Sequence, residues 1–335
     1  MTTLPRPRPQ AALVYNPIKV DEKKLRALVR QASREAGWEH PAFYPTTVLD
    51  AGRAVTAEAI ERGVAVVMVA GGDGTVRAVA EAMAGTGIPL AIIPSGTGNL
   101  LARNLGLPLS APETMISAAL GGARHPIDIG WAEITRAGGA RSEHAFVVLA
   151  GIGLDADMIA NTRSDLKKTV GWIAYVDGAA RSLAKAQAFR AVYQVDTERM
   201  HTAKVHSILF ANCGTLPAGI ELVPDASVTD GKLDVAVIQA TGVFGWLNVW
   251  RKIWWDNSVL RRSRVGRMAL KHRGRNAAVK YFHGTVAEAA ATTPTPVQID
   301  GDEFGEGLRM TCRVDPDALL IALPATHPLA TAAPR

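Results

Sequence analysis

Val64-Ala-Val-Val-Met-Val-Ala-Gly71-Gly72-Asp73-Gly74-Thr75 and, shortly after it, Pro89-Leu-Ala-Ile-Ile-Pro94-Ser95-Gly96-Thr97-Gly98-Asn99 decide how this chain is read. Each joins an apolar, strand-like run to a glycine-rich turn, and each turn opens a helical pattern. Val76, Val79, Ala80 and Met83 recur at helical spacing after the first turn. Leu100, Leu101 and Leu105 follow the second, closed by Gly106 and Pro108. Strand, glycine turn and helix aim backbone N–H groups and a positive helix end at an anion. Glycine suits such a turn because it tolerates positive φ and brings no Cβ to block close approach. A tight connection capped by Asp73 or Thr75 explains the first turn taken singly. Two in succession, one carrying a carboxylate and both offering hydroxyls, point to a nucleotide site. No Gly-Lys-Ser/Thr follows, and neither turn is a GxGxxG fingerprint, so the phosphate cradle is of another type.

Outward from these turns, Ala11–Tyr15 reads as a strand, Glu22–Ala36 as a helix, Trp38–Tyr44 as a strand and Ala51–Arg62 as a helix. Glu113–Leu120 reads as a further helix, ended by Gly121-Gly122. The alternation predicts an α/β domain over 10–128, with a parallel sheet and ligands at the carboxyl ends of its strands. After Ile127-Asp128-Ile129-Gly130 the texture changes to short β-like runs. These are Trp131–Thr135, Ala145–Ala150, Ala188–Val195, Ala203–Ala211, Leu233–Gln239, Ala277–Phe282, Pro296–Ile299 and Leu319–Ala322. Thr229-Asp230-Gly231-Lys232 is a hairpin signal, and helices are expected near 169–187 and 244–259. A mostly antiparallel, β-rich second domain over 129–323 follows, with the active site in a cleft between the domains. Residues 1–9 and 324–335 are expected as a disordered leader and tail.

A chain of 335 residues suits two domains, and 48% hydrophobic with 20% charged residues describes a globular protein. No uninterrupted apolar run approaches the ~20 residues that span a bilayer. Cys213 and Cys312 lack metal-ligand spacing; they read as buried free thiols of a reducing compartment, with a disulfide left open. The eight histidines form no metal-binding arrangement. The net charge is +6, and its distribution matters more than its size. Ten Lys/Arg face the single acid Asp256 between Arg251 and Lys280, beside Phe244, Trp246, Trp250, Trp254 and Trp255. Cations beside tryptophans suit an anionic membrane surface. The alternatives are a core helix with a solvated basic face, since Trp246, Trp250 and Trp254 fall at i, i+4, i+8, and nucleic acid, which is the least favoured.

In this order the landmarks resemble the diacylglycerol kinase-type lipid kinases, a bacterial group that is also similar to sphingosine kinases. Gly71-Gly72-Asp73-Gly74-Thr75 resembles their nucleotide motif, and Pro94 to Asn99 with Leu101-Ala102-Arg103 resembles their second loop. Ile127-Asp128-Ile129-Gly130, Gly151-Ile-Gly153-Leu-Asp155-Ala156 and Leu222 to Val235 follow in family order. Ile299-Asp300-Gly301-Asp302 is similar to the late Asp-Gly-Glu/Asp motif. The first loop, Asn16-Pro17-Ile18-Lys19-Val20, departs from the usual Asn-Pro-x-Ser/Ala-Gly. Its lost glycine removes a close backbone approach, while Lys19 adds a point charge.

The resemblance implies an NAD kinase/diacylglycerol kinase-like fold and an ATP-dependent lipid kinase using Mg2+, with diacylglycerol the simplest acceptor and phosphatidic acid the product. It implies nucleotide contacts by Asn16, Pro17, Lys19, Thr47, Gly71, Gly72, Asp73, Gly74, Thr75, Ser95, Gly96, Thr97 and Asn99. Asp302 would be the general base, with a shorter arm than the usual Glu, and Asp73 would bind nucleotide or order metal-bound water. A structural magnesium would take the Asp230 side chain with the backbone carbonyls of Ser227 and Lys232; a bare Asp-Gly turn is the alternative. Asp302 is otherwise a plain turn residue. The implied setting is cytoplasmic, peripheral at the inner face of the membrane, on an anionic lipid surface, with a homodimer allowed. An NAD-kinase-like enzyme with a soluble acceptor and a catalytically silent lipid-binding regulator are the rival functions.

Overall fold

The computed structural model describes residues 8–153, 188–216, 220–223, 225–239 and 279–330. The chain forms two compact units: residues up to Ile129 together with Pro316 onward, and Gly130–Asp315. Residues 316–323, the end of the second domain in sequence order, group with the first unit.

In the first unit strands and helices alternate: β1 (Ala11–Tyr15), α1 (Glu22–Glu35), β2 (Ala42–Pro45), α2 (Arg53–Glu61), β3 (Val66–Gly71), α3 (Asp73–Met83), β4 (Leu90–Pro94), α4 (Leu100–Asn104) and α5 (Pro112–Gly121). The strands lie in the order β4-β3-β1-β2, all parallel. Every residue of β1 and β3 is buried, as expected of parallel strands covered on both faces, which is why they read as unbroken apolar runs. Asp21 caps α1 by accepting from the Lys24 N–H at 3.0 Å. The helix expected from Ala51 starts only at Arg53, because Gly52 sits at φ 130.

The chain leaves this unit in β5 (Ala123–Thr135) and builds the second from β6 (Arg141–Phe146), β7 (Leu149–Ile152), β8 (Phe189–Val195), β9 (His201–Val205), β10 (Ser207–Ala211), β11 (Thr215–Leu216), β12 (Ile220–Glu221), β13 (Leu233–Ile238), β14 (Val279–Gly284), β15 (Val286–Ile299) and β16 (Asp302–Leu323). The order β14-β13-β10-β7-β15-β16 is antiparallel throughout. Phe146, Ile152, Phe210, Val235, Ile299 and Met310 share its core. The end of β16 then pairs in parallel with β4 at Ile321↔Leu90, within the first unit. The parallel first unit and antiparallel second unit match the expected fold class.

Two local expectations change, and one alternative is closed. The run Ala203–Ala211 is two strands, parted at His206. The Asp230-Gly231 turn is no hairpin, since β13 pairs β10 and β14 rather than β12. Cys213 and Cys312 are free and buried, which closes the disulfide alternative. The helices expected near 169–187 and 244–259, the basic, tryptophan-rich stretch short of Lys280, and Asp155 lie outside the described residues. No described helix is long and apolar enough to cross a membrane.

Candidate nucleotide and acceptor site

Parallel register brings the strand ends of the first unit to one edge: Gly71↔Pro94, Tyr15↔Ala70 and Tyr15↔Pro45 are partners. Four connections leave this edge side by side, and they carry every nucleotide-contact candidate. On its β3 and β4 side the two glycine turns touch. A Cβ on Gly96 would lie 2.7 Å from the Cα of Gly72, and one on Gly98 2.5 Å from Asp73 Oδ2. These glycines are therefore dictated by loop-against-loop packing. The positive φ expected of these turns is absent, since none of Gly71, Gly72, Gly74, Gly96 and Gly98 lies in the left-handed region.

Asp73 fastens the clasp. Its carboxylate accepts the N–H of Asn99 at 3.0 Å and of Leu100 at 2.5 Å. Asn99, left-handed at φ 48, closes the turn on itself: Oδ1 accepts from the Gly96 N–H at 2.9 Å and Nδ2 donates to the Gly96 carbonyl at 2.8 Å. Ser95 N–H donates to Gly71 O at 3.3 Å. One expectation changes here. The helix after the second turn, α4, has only five residues, and Asp73 already holds its first N–H groups. The N-terminus facing the loops belongs to α3, whose first turn is Asp73, Gly74 and Thr75. Thr97 is exposed at the tip of the second turn.

The β1 and β2 connections are closed by their own side chains. Asn16 Oδ1 accepts from the Ile18 N–H at 3.0 Å, and the Lys19 N–H donates to Asn16 O at 3.0 Å. Thr47 Oγ1 accepts from the Asp50 N–H at 3.0 Å. Pro17 and Lys19 are exposed. Sequence reasoning missed Asp50, which accepts from the N–H groups of Gly52, Ala54 and Val55 at 3.1–3.3 Å. Burial alone would raise its carboxyl, but these bonds hold it below the usual value. An Asp shortly before a helix was the available signal.

In the second unit, Asp302 stands at the first position of β16. Asp300 (φ 49) and Gly301 (φ 89) form the two-residue turn that joins it to β15, with Ile299↔Asp302 as the closing pair. The Asp300 carboxylate is buried and accepts from the N–H groups of Val147, Val148 and Leu149, each at 2.9 Å. Asp302 is exposed at the end of that rigid turn. In the first unit Asp128 is fully buried and accepts from the Asp317 N–H at 3.0 Å.

The donors expected to hold magnesium are oxygens of the type a hard cation takes. Asp230 Oδ1 accepts from the Lys232 N–H at 3.0 Å, and Ser227 Oγ bonds to Thr229 Oγ1 at 3.1 Å. Burial pushes the nearby Asp234 carboxyl up; the imidazole of its ion-pair partner His283 opposes this, and Asp230 and Asp225 add to it. The charges of Asp230 and Asp225 beside Asp234 make the local field negative, which fits a cation. No cluster of three metal-ligating side chains occurs among the described residues, so the fit rests on one carboxylate and backbone oxygens.

Residues 10–132 match the family model for the diacylglycerol kinase catalytic domain, and 147–323 match the YegS C-terminal NAD kinase beta sandwich-like domain. The chain belongs to the diacylglycerol kinase-type lipid kinases. It is 30% identical to a "Probable lipid kinase YegS-like" protein of Pseudomonas aeruginosa, over 96% of this chain and 97% of that one. It is 31% identical to a diacylglycerol kinase of Mycobacterium tuberculosis, over 56% of this chain and 59% of the relative. The crystal structure of a diacylglycerol kinase from Bacillus anthracis shares the fold, with a TM-score of 0.65 at 18% identity over 96% and 98% of the two chains.

Proposed function

We propose that this lipid kinase transfers the γ-phosphoryl group of ATP to the hydroxyl of a membrane lipid, diacylglycerol in the simplest case, giving phosphatidic acid. The observation that carries the reading is the clasped pair of glycine loops at the carboxyl edge of the parallel sheet, in a chain of this family. Phosphoryl transfer asks the protein mainly to position the phosphates and to accept a proton. The first turn of α3, at Asp73, Gly74 and Thr75, presents backbone N–H groups and a positive helix end to the phosphates. The second turn, Ser95 to Asn99, is held against it through Asp73, and Asn16, Pro17, Lys19 and Thr47 border the same edge. Asp302 takes the proton of the acceptor hydroxyl as it attacks, and the rigid turn fixed by Asp300 keeps its short arm in place. Mg2+ bound with ATP would supply charge neutralisation; a second ion at Ser227, Asp230 and Lys232 would brace the second unit. The enzyme works peripherally, at the inner face of the membrane, on an anionic surface.

The test is turnover of Asp302→Asn on labelled ATP with a panel of lipid and soluble acceptors. Removing the base while keeping shape should lower turnover by about 10²–10⁴-fold, with ATP affinity and melting temperature unchanged. Wild-type turnover in that variant would remove Asp302 from the mechanism. Phosphorylation of a soluble acceptor alone would remove the lipid.

A further inference from the structure

Three large apolar side chains stand in water where a folded protein would ordinarily cover them. Ile18 is 82% exposed, Val48 93% and Leu49 100%. All three lie on the connections that follow β1 and β2. These connections leave neighbouring strand ends, since Tyr15 pairs with Pro45 and the Thr46 N–H donates to Tyr15 O at 2.8 Å. Adjacent strands are about 4.8 Å apart, so the two tips rise beside each other. The order β4-β3-β1-β2 divides the carboxyl edge in two. The β3 and β4 half carries the glycine clasp, and the β1 and β2 half carries the apolar tips.

The tips are held rather than frayed. Asn16 Oδ1 closes the first turn, and Tyr15 OH donates to Glu22 Oε1 at 2.7 Å across the base of that connection. Asp50 and Thr47 close the second on both sides of Val48 and Leu49. A rigid loop that presents Leu and Val outward keeps a standing hydration cost, and the side chains have no role in the fold that would offset it. Lys23 and Lys24 are exposed at the start of α1, with Asp21 committed to capping that helix.

We propose that Ile18, Val48 and Leu49 form a wedge that enters the surface of an anionic bilayer. The inference rests on the lipid kinase reading: a two-chain lipid does not leave the membrane readily, so the enzyme must come to it. Apolar tips flanked by lysines supply the two signals that stable peripheral binding takes.

The experiment is co-sedimentation of the purified full chain with vesicles of phosphatidylcholine and phosphatidylglycerol containing diacylglycerol, at low salt and at 1 M salt. Screening at 1 M, to ~3 Å, suppresses charge attraction and leaves apolar insertion. The triple variant Ile18→Ser/Val48→Ser/Leu49→Ser should lose about tenfold or more in partitioning at 1 M salt, and Leu49→Trp should gain. Turnover on vesicle-borne diacylglycerol should fall in step, while turnover on a dissolved short-chain diacylglycerol stays. Unchanged partitioning of the triple variant overturns the wedge. So does unchanged partitioning with weakened ATP binding, which would give the tips to the nucleotide. If the wild-type chain phosphorylates no lipid yet partitions through these residues as expected, the wedge stands and the kinase reading falls.

Discussion

Gln298 and Asp300 are two residues apart at the end of β15 and have opposite fates. The Asp300 carboxylate is buried and meets three backbone N–H groups. Gln298 is 1% exposed, and neither its Oε1 nor its Nε2 has a hydrogen-bond partner among the described residues. It sits between the core residues Val297 and Ile299, in register with Gly151 on β7 and Glu303 on β16. An unpaired buried amide costs about 1–3 kcal/mol. Gln298→Leu removes both polar atoms at similar volume, so the melting temperature should rise by a few degrees. A drop in melting temperature would show that the amide is satisfied in the folded protein. A rise with lost turnover would mark Gln298 as a residue held for a ligand at the expense of stability, as functional positions often are.

At the scale of the element, the two glycine loops act as one object. The Gly96 Cβ would meet backbone, at 2.7 Å from Gly72 Cα, so no side-chain rotation can relieve Gly96→Ala. That variant should push the loops apart, lower the melting temperature and weaken ATP binding by about tenfold or more, as measured by calorimetric titration. Gly121→Ala at the end of α5, where a Cβ meets nothing within 4 Å, should leave both unchanged. Equal ATP affinity in the Gly96 variant would make the clasp incidental to the nucleotide. The strand-turn-helix units were legible because buried parallel strands are continuous apolar runs broken by glycine. The clasp was not, since Asp73 bonding to Asn99 and Leu100 links residues no local pattern connects. The long strands β15 and β16 also escaped, apart from the runs 296–299 and 319–322. Their middles alternate polar with apolar residues around Pro294, Pro296, Gly305 and Gly307, and two register shifts interrupt their pairing.

For the whole molecule, the consequential feature is one that sequence order hides. The chain completes its first unit with its last strand. β16 runs 22 residues, and its end pairs with β4 rather than stopping in the second unit. The Gly85 N–H donates to Ala318 O at 2.7 Å, and the side chains of Leu319, Ile321 and Leu323 are fully buried. Nothing local in the sequence marks this, because a long-range parallel pairing leaves no local trace. Burying three such side chains contributes roughly 5–9 kcal/mol, an upper figure because unfolded chains already bury some apolar surface. Domains are stable by only about 5–15 kcal/mol, so the contribution is comparable to the whole. A chain stopped after Asp315 should therefore lose the cooperative melting of its first unit, and with it ATP binding, although every glycine-loop residue remains. Thermal melts with and without an ATP analogue check this. A truncated chain that melts and binds like the full one would mean that the parallel sheet stands without its last strand.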